Sequence, residues 1–314
     1  MPAGQFEKIT TTGVQAMFFR RLQGAPDSWV NRLAMRVSSN QASEDYGFLG
    51  MVPQMQEWIG GREAKYLREY SFNVRNKDFE ATLGIKDKDM IRDKTGQIRV
   101  RVDELADRVL RFPAKLLSNL ILAGETDTCY DGQYFFDTDH SEGASGAQSN
   151  DISVDVTTPA SPTTPEMSDA ILTAVQTMYG YKDDRGEPIN EGGTVFDVMV
   201  PIPLWKPARA AVSVEIMAEG GGAVTNPLTA GGGLTINVIP NPRLTWTTKF
   251  AIFRGDAAGA TSPFILQEET PVDLPALGPG SDHFFKHKEH LFSAEWSGNV
   301  AYGDWRSACL VTLT

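Results

Sequence analysis

The sequence predicts an α+β fold, and three patterns carry that prediction. Apolar residues recur at helical spacing over 101–123 and again over about 166–180. A period of two runs through Tyr66, Tyr70, Phe72, Val74, Phe79, Ala81, Leu83 and Ile85, interleaved with Arg68, Arg75, Lys77, Glu80 and Thr82. Short strand patterns at 234–240, 246–254 and across 262–314 complete the mixture.

In chain order, Thr10, Thr11 and Thr12 each offer a helix cap. Val14, Met17, Phe18 and Leu22 form the apolar face of a short helix that Gly24 and Pro26 end. Trp29, Val30, Leu33, Met35 and Val37 lead into an extended segment, so residues 1–37 read as a terminal arm with too little apolar face to fold alone. Tyr46-Gly-Phe-Leu-Gly50 reads as a strand entering a turn at Val52-Pro53. Trp58-Ile-Gly-Gly-Arg62 is a second turn, because paired glycines supply positive φ. With the alternating run to Ile85, broken at Asn76-Lys77, these make a long two-stranded excursion. A two-stranded ribbon is marginal by itself in water and needs a partner surface.

Over 101–123, Val102, Leu105, Val109, Phe112, Leu116 and Leu120 share one face. Pro113 is expected to kink or interrupt this helix, and Gly124 to stop it. Residues 124–163 are loop-rich, with Pro159, Pro162 and Pro165 marking a boundary. A buried strand is expected from Val195 to Pro201, and a helix from Leu204 to Met217 with Pro207 in its first turn. Gly220-Gly-Gly222 and Gly231-Gly-Gly233 bracket a floppy connection.

Composition narrows the function. Of 314 residues, 41% are hydrophobic and 22% charged, which excludes global disorder. The net charge of −11 argues against a protein built to grip a phosphate backbone. That average hides a split: residues 1–115 carry 19 basic and 15 acidic side chains, net +4, and residues 116–314 carry 10 and 25, net −15. Cys129 and Cys309 are too few for a disulfide framework or a zinc knuckle and read as reduced, buried thiols of a cytoplasmic product. No apolar run approaches the roughly 20 residues that cross a bilayer, and no secretory signal opens the chain.

Motifs for chemistry are weak. His283, His287 and His290 would share a helix face, but the residues between them do not suggest a helix, and a surface segment is expected. Asp131 and Asp137-Thr-Asp139-His140 suggest a hard-cation cluster, yet fit better as a loop whose carboxylates satisfy nearby backbone amides. No phosphate-binding glycine loop, nucleophile elbow or close Cys/His pair is visible. The basic run Arg62, Lys65, Arg68, Arg75, Lys77, Lys86 and Lys88 is interleaved with acids, and reads as a solvated face or a docking surface for an acidic partner.

Six motifs in order carry a resemblance. Tyr46-Gly-Phe-Leu-Gly50, Glu57-Trp-Ile-Gly-x-Arg62, the run from Tyr70 to Ile85, Cys129-Tyr-Asp-Gly-Gln133, Phe135-Phe-Asp-x-Asp-His140 and Gly298-Asn-Val-Ala-Tyr-Gly303 with Trp305 together resemble the Mu-like phage major head subunits. The likeness is densest over 46–140 and weakest over 141–190 and 255–290. It implies the HK97-type capsid fold of tailed phages. Residues 1–37 would be an N-terminal arm and 38–95 an extended hairpin loop with adjoining strands. Residues 96–159 would be a peripheral domain with a spine helix at 101–123, 160–255 an axial domain, and 256–314 a return to peripheral strands.

The resemblance also implies self-assembly into hexamers and pentamers of an icosahedral shell around weakly contacted double-stranded DNA. Implied partners are a scaffold protein or protease and a portal during assembly, and a decoration protein. No membrane, cofactor, metal or catalytic residue is implied, and the protein would be assembled in a bacterial cytoplasm and reside in the virion. Trp58, Arg62, Lys65, Arg68, Arg75 and Lys77 are the candidates for contact between subunits, the basic third docking on the acidic remainder of a neighbour. Two alternatives stand beside this: an encapsulin-like compartment shell, and a metal-dependent hydrolase using Asp137, Asp139 and the His283–His290 segment.

Overall fold

The structure is a computed structural model, and it describes residues 10–24, 28–50, 68–93, 95–219, 222–230 and 233–314. Helix α1 spans Thr11–Gln23; the Thr10 hydroxyl caps it by accepting from the Gly13 N–H, and Val14 and Phe18 are its buried face. Helix α2, Trp29–Leu33, runs into strand β1, Ala34–Ser38. Strands β2, Ser43–Gly50, and β3, Arg68–Arg75, form an antiparallel hairpin in register from Ser43–Arg75 to Gly50–Arg68. Strand β4, Lys77–Lys86, follows after the single residue Asn76, at the expected break in the alternation.

Helix α3 is Asp87–Arg92, α4 is Gln97–Leu110 and α5 is Phe112–Leu122. The expected single helix is interrupted where Pro113 falls. Proline lacks the N–H of a helix interior but fits a first turn, so α5 restarts with Pro113 in that turn. After α5 come β5, Asp151–Val154, and α6, Thr164–Tyr179. Next are β6, Val195–Val200, and α7, Ile202–Ala211. Helix α7 starts earlier and ends sooner than the sequence suggested, and Pro207 lies inside it. Ile216 and Met217, expected to end that helix, instead open β7, Ile216–Glu219, which pairs with β8, Gly222–Thr225, so the connection expected to be floppy begins with a paired strand.

The chain finishes with β9, Thr235–Pro240, β10, Lys249–Arg254, β11, Phe264–Asp273, β12, Ala276–Leu277, α8, Asp282–His287, β13, Glu289–Tyr302, and β14, Ala308–Leu313. Helix α8 contradicts the expectation of no helix around the histidines. Ser281 caps it by accepting from the Phe284 N–H, and Lys288 ends it in the left-handed region.

Two five-stranded sheets organise these elements. One has the order β1-β11-β13-β12, with β4 also paired along β13; the other has the order β5-β14-β10-β6-β9. Residues 256–314 therefore divide: β11, β12 and β13 lie in the first sheet and β14 in the second, where it pairs with β10 and β5. Strand β6 is buried at five successive residues, as a strand covered on both faces must be. Helices α6 and α7 contribute Met167, Ile171, Met178 and Leu204 to the same buried core.

A shared core joins the sheets through aromatic contacts. Phe264 of β11 lies 5.2 Å from Phe253 of β10 and 5.5 Å from Phe135, which stacks on Tyr302 at 4.5 Å. Glycines of the Gly298-to-Gly303 motif sit where backbone approaches backbone. A Cβ at Gly298 would strike the Gln267 carbonyl, and one at Gly303 the Ser262 carbonyl.

Candidate functional site

The hairpin β2–β3 pairs with no other strand among the described residues, so whatever directs it acts at its root. There Val74 is buried against Ile265 and Ala301, with Met35, Val37, Tyr46 and Phe72 packed around them. A polar lattice completes the anchor. The Asn76 amide donates to Ser39 Oγ at 3.0 Å and to the Gln41 carbonyl at 2.8 Å, and its oxygen accepts from Gln267 Nε2 at 2.6 Å. Gln267, fully buried on β11, also donates to the Val74 carbonyl and accepts from the Tyr46 hydroxyl at 2.7 Å. Burial, with the charge of Glu44 nearby, pushes the Tyr46 phenol up to about 12, so it stays a donor at all ordinary pH. Asn76, which the sequence showed only as a break in alternation, is the pivot between hairpin and sheet.

Beyond the pivot, β4 pairs with β13 from Glu289–Lys86 to Gly298–Lys77. Phe79 on β4, Trp296 on β13 and Phe112 at the start of α5 form one aromatic cluster, with ring centroids 4.8 to 6.0 Å apart. The interruption at Pro113 thus sits where the helix meets the hairpin's exit strand.

Of the expected contact residues, Arg75 and Lys77 are exposed and flank Asn76 at the root. Arg68 begins β3, seven residues away and therefore roughly 23 Å further out along an extended strand. Trp58, Arg62 and Lys65 lie outside the described residues. Arg75 and Lys77 form one small basic corner, and Arg68 is not part of it.

The suspected metal residues separate into two places. His283 lies beside Glu289 with Nε2–Oε2 at 3.3 Å and tilts against His287 with ring centroids 4.7 Å apart. His290, expected in a surface segment, is buried on β13 with Nε2 3.2 Å from Asp87. Asp137 does what was expected of a loop carboxylate, accepting from the N–H groups of Tyr134 and Thr138. Among the described residues, the one grouping of metal-ligating side chains keeps Asp131 and His140 of the expected cluster but joins them to Cys129 in place of Asp137 and Asp139.

This is a close Cys/His approach that spacing alone concealed. The tight turn at Asp131-Gly132, with Gly132 at φ 88°, folds Cys129 back toward His140, whose ring stacks on Trp305 at 4.0 Å. Burial, reinforced by the Asp131 charge, pushes the Cys129 thiol far up. Burial would also raise the Asp131 carboxyl, but hydrogen bonds from His140 and Cys129 outweigh it and hold the carboxyl below its usual value.

Comparison with known proteins places this architecture. A family profile described as Mu-like prophage major head subunit gpT matches residues 8–164, half of the chain. The major capsid protein of Escherichia phage Mu is 36% identical over 133 residues, covering 42% of this chain and 43% of its own length. The Mu-like prophage FluMu major head subunit of Haemophilus influenzae is 33% identical over 147 residues, covering 47% of each chain. The matched stretch therefore spans less than half of either relative. Among solved structures, the procapsid of bacteriophage JBD30 superposes with a TM-score of 0.54 at 21% identity, over 96% of this chain and 73% of that one, which shows a shared fold. The hairpin, Asn76 and the interrupted helix lie within the matched segment, whereas Ile265, Gln267 and Ala301 of the root lie beyond it, and the chain belongs to the Mu-like prophage major head subunit (gpT) family.

Proposed function

We propose that the chain is a major head subunit of a tailed, Mu-like phage or prophage, and that its copies form hexamers and pentamers of an icosahedral shell enclosing double-stranded DNA. The observation that carries this reading is the β2–β3 ribbon, within the family-matched segment, rooted firmly yet without a strand partner in its own chain among the described residues. A ribbon of this kind gains stability by lying on a neighbour. Around a closed ring every subunit meets the next by the same heterologous contact, so one such interface is repeated throughout. A specific interface buries on the order of 1,600 Å².

In this reading the β1-β11-β13-β12 sheet with α4 and α5 is the peripheral domain, and the β5-β14-β10-β6-β9 sheet with α6 and α7 is the axial domain. The basic arm and hairpin, including Arg62, Lys65, Arg68, Arg75 and Lys77, dock on the acidic remainder of adjacent subunits. The negative remainder also suits a container that holds DNA loosely. A scaffold protein or protease and a portal act during assembly in the host cytoplasm. Among the described residues no helix is long and apolar enough to cross a membrane.

Electron microscopy of the purified protein, co-expressed with its neighbouring genes, tests the proposal. Closed shells containing DNA are expected. Monomers under every condition would overturn it, and shells filled with a cargo protein instead of DNA would favour the compartment alternative.

A further inference from the structure

Cys129, Asp131 and His140 bring three metal-ligating side chains together in the interior. Asn150 orients the imidazole. Its Nδ2 donates to the carbonyls of Phe135 at 2.7 Å and Trp305 at 3.3 Å, so its Oδ1 faces the other way and accepts from the Asp137 N–H at 2.8 Å. His140 Nε2 lies 3.3 Å from that same oxygen. An amide oxygen only accepts, so Nε2 is the nitrogen suited to an outer hydrogen bond and Nδ1 the one suited to a ligand. Nδ1 itself lies 2.7 Å from Asp131 Oδ2.

The other side of Asp131 faces the third donor. Its Oδ1 accepts from the Gln133 N–H at 3.1 Å and meets Cys129 Sγ at 2.9 Å. Thiol, carboxylate and imidazole donors thus converge within 4.8 Å. Cys129 is 4% exposed, His140 0%, and the Asp131 side chain 4%.

We propose that Cys129 Sγ, the Asp131 carboxylate and His140 Nδ1 form a buried site for a thiophilic divalent cation of the zinc type. Sulfur and imidazole nitrogen select zinc-like ions over magnesium or calcium. One divalent ion enters and displaces the thiol proton and the proton at His140 Nδ1; thiolate, carboxylate and dication then sum to zero, so the loaded site buries no net charge. The remaining His140 N–H donates to Asn150, the outer contact that fixes a metal-bound ring, and the stack on Trp305 holds its plane. Zinc lies about 2.0–2.3 Å from such donors, so the three side chains part by roughly 1 Å to admit it. The ion would clamp the turn at 129–133 to the loop at 137–150, beneath the Trp305 turn that leads into β14.

The test uses the full chain, as subunit or shell, incubated with zinc or cobalt(II) and freed of excess. About one metal per subunit is expected, with a thiolate-to-cobalt charge-transfer absorption. Cys129→Ser should abolish that band and lower affinity by at least about tenfold, whereas Cys309→Ser should keep both. Asp131→Asn, which preserves the shape of the turn, should also weaken binding and covers the case in which a His140 variant fails to fold. Wild-type protein that retains no metal and shows no such band, or a Cys129→Ser variant that binds as well as wild type, would overturn the proposal. Either result would leave the shell assignment untouched.

Discussion

Arg32 on α2 closes a fork onto Asp197 in the middle of β6, with Nε 3.0 Å from Oδ2 and Nη2 3.3 Å from Oδ1. Asp197 is fully buried and takes a third hydrogen bond from Asn237 Nδ2 at 2.9 Å. Eleven residues earlier, Arg21 of α1 grips Asp107 of α4, with Nε 2.7 Å from Oδ1. The amino-terminal segment is thus pinned by charge to both halves of the molecule. Arg32→Ala would leave the Asp197 carboxylate with the Asn237 bond alone among the described residues. A loss of about 2–3 kcal/mol is expected, at the lower end for a broken buried pair because Arg32 is itself half-exposed. Urea unfolding of the soluble subunit measures it, and Asp197→Asn in the Arg32→Ala background should recover part of the loss.

Asn76 offers a way to separate folding from assembly. Asn76→Ala removes its bonds to Ser39, Gln41 and Gln267 and strands part of the buried Gln267 amide, which costs about 1–3 kcal/mol. The two sheets do not depend on it. Circular dichroism should therefore show a folded subunit while shell yield falls sharply. Equal yields of wild-type and variant shells would mean that hairpin direction does not govern assembly.

Charge reversal probes the docking proposal. Arg75→Glu with Lys77→Glu inverts the exposed corner at the hairpin root, and Arg62→Glu, Lys65→Glu and Arg68→Glu invert the earlier part of the basic run in sequence. Each set should slow or block shell formation and leave the monomer folded, since complementary charge governs encounter and register. Light scattering during assembly, at low and high salt, reads the effect. Unchanged kinetics in both sets would remove this role for the basic residues.

Glu166 predicts an acid-sensitive element. It accepts from the N–H groups of Thr157 and Thr163 at 2.7 Å each and closes a capping box at the start of α6. Hydrogen bonds from Thr157, then Thr163, lower its carboxyl to about 2 from an ordinary 4.5. A carboxylate lowered by folding stabilises the protein above its unfolded value and loses that contribution as pH falls through its folded one. Wild-type stability should drop between about pH 4.5 and 2 by more than that of Glu166→Gln, in thermal melts over this range.

Particular elements show how far the sequence could be read. The alternation from Tyr70 to Ile85 and the break at Asn76 were legible because a period of two is local, and the cap at Thr10 needed only neighbouring residues. Pro113 announced an interruption for the same reason. The length of α7 was misjudged because Ile216 and Met217 continue an apolar pattern equally compatible with helix and strand, and only their pairing with β8 decides. Helix α8 is only six residues long, so beyond the His283–His287 spacing it had too little periodicity to reveal it. Cys129 and His140 lie eleven positions apart across a tight turn, so no spacing rule joins them. Gln267 is invisible as an anchor until β11 carries it beneath Asn76, 191 residues away in sequence.

Strand β13 gives the hairpin a mechanical consequence. Tension along β3 passes through Asn76 into β4, which runs antiparallel beside β13 from Lys77 to Lys86. Ladder hydrogen bonds lie across the strands, so a pull along β4 strains all of them together in shear instead of peeling them one at a time. On its other edge, β13 holds β11 through the pairs from Asp273–Glu295 to Phe264–Tyr302. Force arriving at one hairpin is therefore spread over the breadth of a sheet before any single bond must yield.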